Sequence, residues 1–523
     1  MREENDEQVN IAPARPRWWL LAGIVLASAA TLAILWIVPH RSQQHFNLDF
    51  ARVVLGTLGA MAIWLLWLSR LPWRVRWTVV GSLLGALAIL ATVFRLHGVD
   101  GNLVPILEFR WARHTLPPPL SLATPSTASA PIGQAPGAAD FPQFLGPNRN
   151  GILDGPALAT DWAGHPPARL WRQAVGAAWS GFAVAGSIAV TQEQRGESEM
   201  VVAYDLSTGR LLWSHADSAR FASELAGEGP RATPNIAGDR VFTVGATGLL
   251  NCLLLETGRV LWSKDVVTEN AGRQPDWGLS GSPLVFGDTV VVNPGGDSNR
   301  SVVAYAVHDG SVRWAAGTGG ASYSSPLATT IEEIQQVLLF GGSLVGHDAR
   351  LGTVLWTYPW PGGHPHIAMP VQITLSDWIL SSGYGTGSGR ISIQRDASGQ
   401  WSANEVWRTN RFKSKFANPV KHRGHLYGLD DGVLACLDAA TGDLRWRDGK
   451  YGHGQVLLVG DGLLVMAENG EVALIDPQPD GQKELARFRA LNGKTWNPPA
   501  LAGEYLVVRN DKEAACYRLP TRR

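Results

Sequence analysis

The chain has 523 residues, with 45 basic and 45 acidic side chains and a formal net charge of zero. That balance removes any electrostatic case for nucleic-acid binding, and the length exceeds one ordinary domain. Three cysteines (Cys252, Cys436 and Cys516) are too few for a disulfide-built secreted scaffold.

The first hundred residues are dominated by apolar runs at 18–38, 53–69 and 77–94, uncharged inside and long enough to cross a bilayer as helices. Trp18, Trp19, Trp36, Trp73 and Trp77 stand at the ends of these runs, as an interfacial aromatic belt would. No short apolar run is followed by a small-residue cleavage site, so a cleaved signal peptide is not expected. Arg15 and Arg17 precede the first span, and Arg70, Arg74 and Arg76 separate the second from the third. The positive-inside rule then puts the N-terminus in the cytoplasm, and three spans carry the rest of the chain outside. The expected location is a multi-pass inner membrane protein with a periplasmic C-terminal domain, tethered to lipid through residues 1–114. Residues 115–140, rich in Pro, Ala, Ser and Thr, read as an extended spacer that buries no core.

From residue 141 the chain repeats. The segment 232–262 (ATPNIAGDRVFTVGATGLLNCLLLETGRVLW) holds four short apolar runs separated by Gly or Asp turns, a four-stranded antiparallel meander. Its ending recurs at Trp213, Trp262, Trp314, Trp356 and Trp446, each soon after a turn glycine, and more loosely at Trp407. Its opening recurs as a residue before proline, at Thr233, Ser282, Ser325, Met369, Asn418 and Pro498. The terminal tryptophans stand about 39 to about 52 residues apart, which suits propeller blades. No window between them keeps a 3.6-residue period, which excludes helical solenoids.

The two ends complement each other. Residues 168–173 are an outer strand with nothing before it, and 497–519 are three strands with no outer one. We therefore expect 168–173 to close the last blade and hide both edges. A degenerate unit ending near 485–488 brings the total to eight blades, or seven if that unit is an insertion. The fold class is thus an all-β, eight-bladed β-propeller behind three transmembrane helices. The cysteines fall in third strands of separate blades and are expected to be free thiols.

The lead-in Phe141–Gly151 (FPQFLGPNRNG), the motif Gly229–Pro234 and the blade ending Cys436–Trp446 resemble the bacterial PQQ-like β-propeller repeat family. The resemblance covers residues 141–519 and is specific for the superfamily, not for one activity. Its members include quinoprotein dehydrogenases, which hold pyrroloquinoline quinone (PQQ) in the central funnel. They also include the lipoprotein propeller of outer-membrane assembly, which binds protein. The resemblance therefore implies either a binding or scaffold module for an envelope protein or ligand, or a PQQ-dependent oxidoreductase passing electrons from an alcohol or sugar to membrane quinone. Against the second stand a compact propeller, the absence of an adjacent-Cys pair, and no acid matching the calcium ligands or catalytic base. No cofactor is assigned, and PQQ with Ca²⁺ is the one the resemblance allows.

Segments leading into the innermost strands converge on one mouth of a propeller. Here they present Trp179, Arg231, Trp277, Tyr323, His366, Lys415, His453 and Trp496, with Ser180, Ser324, His364, Lys413 and Asn497 beside them. Acidic residues in these segments are few beyond Asp276. Such a ring suits a flat anionic ligand, whether PQQ, an anionic glycan or a peptide carboxylate, or else it merely caps the channel over water. His364 and His366 lack a third metal ligand and read as a polar loop. Gly383–Gly389 lies between two strands and opens no helix, so it reads as a hairpin loop and not a phosphate cradle. Neither G-x-S-x-G nor H-E-x-x-H occurs.

Overall fold

The computed structural model describes residues 15–38, 42–112, 140–223 and 225–522. The predicted spacer, apart from Asp140, lies outside them. Residues 1–113 and 114–523 form two compact units.

In the first unit three helices are long and apolar enough to cross a membrane: α1 (Trp18–Ile37), α2 (Gln43–Ile63, continued by a π-helical turn to Leu68) and α3 (Trp73–Val93). The second begins ten residues earlier than its apolar run, behind the N-cap Ser42, whose Oγ accepts from His45 N, and Asp49 and Arg52 pair at 2.7 Å within the added turns. The Trp64 indole donates to the Arg17 carbonyl and Arg17 N–H donates to Ser69 O, so the Arg-bearing ends of α1 and α2 meet. A hairpin that the sequence did not announce, Phe94–Val99 with Pro105–Phe109, follows α3.

The second unit is a closed ring of eight blades, each built on four antiparallel strands, successive in sequence in all but the last. Blade 2 is the repeat read from sequence: Asn235–Ala237, Arg240–Val244, Leu249–Leu254 and Val260–Asp265. The degenerate unit is a full blade 7 (Gln455–Val459, Gly462–Met466, Glu471–Gln478, Gly481–Arg489), so eight is the count. Blade 8 takes Ala168–Ala174 as its outer strand, paired to Glu513–Arg518. Arg172 clamps that pairing with two 2.7 Å bonds to the Glu513 carboxylate. All three cysteines are free and buried in third strands.

Two repeated devices lock blade to blade. Outside, the terminal tryptophan reaches the next blade: the indoles of Trp171, Trp213, Trp262 and Trp314 donate to Leu206, Leu255, Val307 and Ala349 carbonyls at 2.7–3.1 Å. Each of these rings lies on the turn glycine of that neighbour; a Cβ on Gly258, at φ +69°, would stand 2.4 Å from Trp213. Trp356 departs from the pattern and donates to Gln336 in its own blade. Blade 5 puts Asp396–Gly399 where its neighbours carry the short glycine turn, so Trp356 has no such seat there.

Inside, the residue before each proline forms a ring of hydrogen bonds around the channel. Gly181 N donates to Thr233 Oγ1, Thr233 N to Ser282 Oγ and Ser282 N to Ser325 Oγ, at 2.9–3.1 Å. Further round, Met369 N donates to Asn418 Oδ1, and Asn497 Nδ2 to the Ala178 and Ser180 carbonyls. The polar-Pro signature is thus a device that joins inner strands whose backbones do not pair.

The channel is not empty. First strands run from the upper mouth, where the lead-in segments meet, to a lower mouth at the first-to-second strand turns. Residues 140–155 enter at the lower mouth, where Asp140 accepts from Gly186 N, and rise antiparallel to blade 1 through Phe141 and Val184. They turn at 145–151 and descend, with Ile152–Leu153 parallel to the first strand of blade 7. Phe141, Leu145 and Leu153 are all at least 93% buried. Arg149, at the top of this plug, donates to the Ser282 and Pro283 carbonyls of blade 3.

Candidate functional site

The upper mouth gathers the predicted residues into two arcs. In one, Trp179 packs on Trp496 with ring centroids 4.9 Å apart, and Phe416 bridges Trp496 (5.0 Å) to His453 (5.4 Å). Lys494 sits over Trp496 at 4.3 Å and over Trp179 at 4.8 Å. In the other, Trp277 lies 5.4 Å from Tyr323, whose hydroxyl accepts from Trp277 N. Lys415 lies over both Tyr384 (4.8 Å) and Phe416 (5.2 Å). Trp179, Lys415, His453 and His366 are buried; Arg231, Trp277, Tyr323 and Trp496 are mostly buried but keep some exposed surface.

His366 turns away from the opening. Its Nδ1 bonds Ser382 Oγ and its ring stacks on Phe340, and burial lowers its pKa. His364 stacks on Tyr384 at 5.0 Å. Among the described residues no group of three or more His, Cys, Asp or Glu could hold a metal.

Several mouth residues escaped the sequence reading. Tyr384 sits in the hairpin loop 383–386, shorter than the expected 383–389 because Gly387–Gly389 already pair in the third strand of blade 5, and Phe416 and Lys494 lie in lead-in segments already singled out. The larger difference is acidic. Glu199, Asp430, Asp431 and Glu468 reach this mouth from the hairpins between second and third strands, which open at the same rim. Lys413 Nζ pairs with Asp430 (3.2 Å) and Asp431 (3.6 Å), and Arg447 binds Asp430 at 2.8 Å. Glu468 accepts from the Trp496 indole and from His453 N. Arg231 stacks on Phe221 at 4.3 Å and donates to the Ala226, Gly227 and Gly229 carbonyls. Burial lowers its pKa to about 9.

The mouth is therefore aromatic and charge-compensated, and this bears on PQQ. A planar tricarboxylate with Ca²⁺ needs uncompensated cations and a cluster of hard oxygen donors. Here Lys413 is paired with two carboxylates, Arg231 is fixed by its own backbone, and no metal-binding cluster is present among the described residues. The residues do not fit that group.

Glu199 makes the mouth pH-sensitive. Burial raises its carboxyl to about pH 7 against the opposing bond from Ala246 N. A carboxyl raised on folding contributes stability that is complete below about pH 4.5 and is lost as pH climbs through 7. Asp431, raised to about 6 by burial, acts in the same direction. Thermal melts between pH 5 and 8 should show falling stability, and Glu199→Gln should flatten the upper part of that fall. Parallel curves for the two proteins would remove Glu199 as the cause.

These features define a class: a closed propeller with PQQ-like blades, a plugged channel and an aromatic upper mouth. Residues 197–374 and 388–518, more than half the chain, match the family model described as outer membrane protein assembly factor BamB, and the chain belongs to that family. It is 27% identical over 255 residues to the BamB of Moranella endobia, covering 46% of this chain and 63% of that one. It is 24% identical over 286 residues to the BamB of Yersinia pestis, covering 53% and 70%. The chain thus spans a little under two thirds of the first of these relatives. Among solved structures, a europium-containing methanol dehydrogenase shares the fold, with TM-score 0.54, 13% identity, and 71% and 89% of the two chains covered.

Proposed function

We propose that this protein is a membrane-tethered, extracytoplasmic binding and scaffold propeller that docks an envelope protein on its upper mouth. The observation that carries the reading is the state of the mouth's charges. Its cations are already paired or pinned, whereas Trp277, Tyr323 and Trp496 keep part of their surface open to solvent. Tryptophan, tyrosine and arginine on a compensated rim are the composition of a protein-binding hot spot. The matched relatives are named as assembly factors, which supports a protein client. The meeting of the Arg17 and Ser69 ends supports a cytoplasmic N-terminus and a periplasmic propeller, since Arg15, Arg17, Arg70, Arg74 and Arg76 then share one side.

The test is crosslinking and capture from envelope membranes with wild type and with Trp277→Ala/Trp496→Ala. The double variant should still unfold in one cooperative transition, at a lowered Tm, and lose at least tenfold of one specific partner. Unchanged capture would remove the upper mouth as the contact. Titration with PQQ and Ca²⁺ decides the other reading, because saturable one-to-one binding with reduction of an artificial acceptor by alcohols would make the protein an oxidoreductase.

A further inference from the structure

A cavity runs beside the plug, from Arg149 at the top of the plug down to the first-to-second strand turns at the lower mouth. It has a volume of about 790 Å³ and is lined by the plug and by the inner strands of blades 4 to 7. That volume is within the range of small-molecule sites. Most of its wall is apolar, including Leu145, Leu327, Met369 and Leu458.

Two of the residues that line it carry a buried donor with no acceptor. Arg149 is 3% exposed, and its guanidinium bonds only neutral oxygens: Gln143 Oε1, Ser282 O and Pro283 O. Its Nε is buried with no hydrogen-bond partner, and so is the Trp378 indole N–H, in a side chain 1% exposed. Both residues line the cavity. Burial lowers the Arg149 pKa to about 9, which still leaves it charged at neutral pH, and no acidic side chain offsets that burial. A buried cation without a counter-ion is costly unless an anion completes it. At the rim, Lys421, His422 and Arg423 stand with Asp461, which Arg423 meets at 2.9 Å and His422 at 3.8 Å. The approach is positive on balance.

We propose that this cavity binds a small carboxylic acid with an apolar body, its carboxylate on the Arg149 guanidinium and its body against Leu145, Leu327 and Met369. The site is separate from the upper mouth, and its occupant would fix the plug to the blades that the plug already touches.

The experiment is isothermal titration of the full chain in lipid nanodiscs with 4-phenylbutyrate and with its neutral counterpart 4-phenylbutan-1-ol. Empty nanodiscs serve as the blank. The acid should bind saturably and the alcohol at least tenfold more weakly. Arg149→Gln should weaken the acid at least tenfold. Because that change could loosen the plug, Ala328→Trp provides the second arm: it fills the cavity from the blade 4 wall with Arg149 intact, and should abolish binding. Trp277→Ala, at the other mouth, should leave binding unchanged, which separates this proposal from the docking reading. Equal binding of acid and alcohol, no binding of the acid at millimolar concentration, or undiminished binding by Ala328→Trp would each overturn it.

Discussion

Gly258→Ala should destabilise the propeller by about 3 kcal/mol or more, although it adds a single methyl group at a surface turn. Two costs add. The residue sits at φ +69°, where a side chain costs about 1–2 kcal/mol. The new Cβ would also stand 2.4 Å from the Trp213 ring, forcing the indole out of its seat and stretching its 2.7 Å bond to Leu255 O. Gly238→Ala is the control, since φ is +61° there and nothing lies within 4 Å of the added atom. It should cost only the backbone share. Trp213→Ala should match or exceed Gly258→Ala, at about 3–5 kcal/mol, and the two changes together should cost clearly less than their sum, because both remove one contact. Thermal and denaturant unfolding monitored by circular dichroism would decide the matter. Equal losses for Gly258→Ala and Gly238→Ala would show that the ring does not depend on the glycine.

The same contact explains why so much of the fold was legible. A turn glycine followed by a strand ending in tryptophan is a local signal, and so is a polar residue before proline; each blade announces both. Ring closure was legible because three strands at 497–519 lacked a fourth and 168–173 lacked three. The plug was not. FPQFLGPNRNG has no periodicity of its own, and its meaning lies in walls contributed by strands more than a hundred residues later, such as Ser282 and Pro283 for Arg149. The upper mouth was legible only by half. Lead-in segments could be placed from the repeat, which found Trp179, Trp277, Tyr323 and Trp496. The hairpins between second and third strands open at the same rim, and overlooking them hid Glu199, Asp430, Asp431 and Glu468. A ring read as cationic is in fact compensated, and that difference turns the functional argument from an anionic cofactor toward a protein surface.

Closure and plug should fail in different ways when each is replaced, residue for residue, by a Gly/Ser spacer in the full chain. Replacing 168–174 removes a whole strand from blade 8. The edge of Glu513–Arg518 is then unpaired, the Arg172–Glu513 clamp is gone, and Trp171 no longer seals blade 8 to blade 1. Trp171 alone is worth about 3–5 kcal/mol, and an open ring exposes the largest of the apolar clusters, which includes Leu506, Val508 and Tyr517. Set against a total stability of about 5–15 kcal/mol, that loss should abolish cooperative unfolding of the propeller and produce aggregation through the bared edge. Replacing 141–156 removes Phe141, Leu145 and Leu153, at about 2 kcal/mol each, but breaks no four-stranded blade. Its strand pairing is limited to the short parallel pairing at Ile152–Leu153 and the single bridge at Phe141, and its other bonds to the blades, such as Arg149 to Ser282 O and Pro283 O, lie outside the blade ladders. This variant should keep one cooperative transition at a markedly lower Tm. If it instead unfolds without a transition, the plug is part of the folding core, and the ring of hydrogen bonds through Thr233, Ser282 and Ser325 does not hold the inner strands without it.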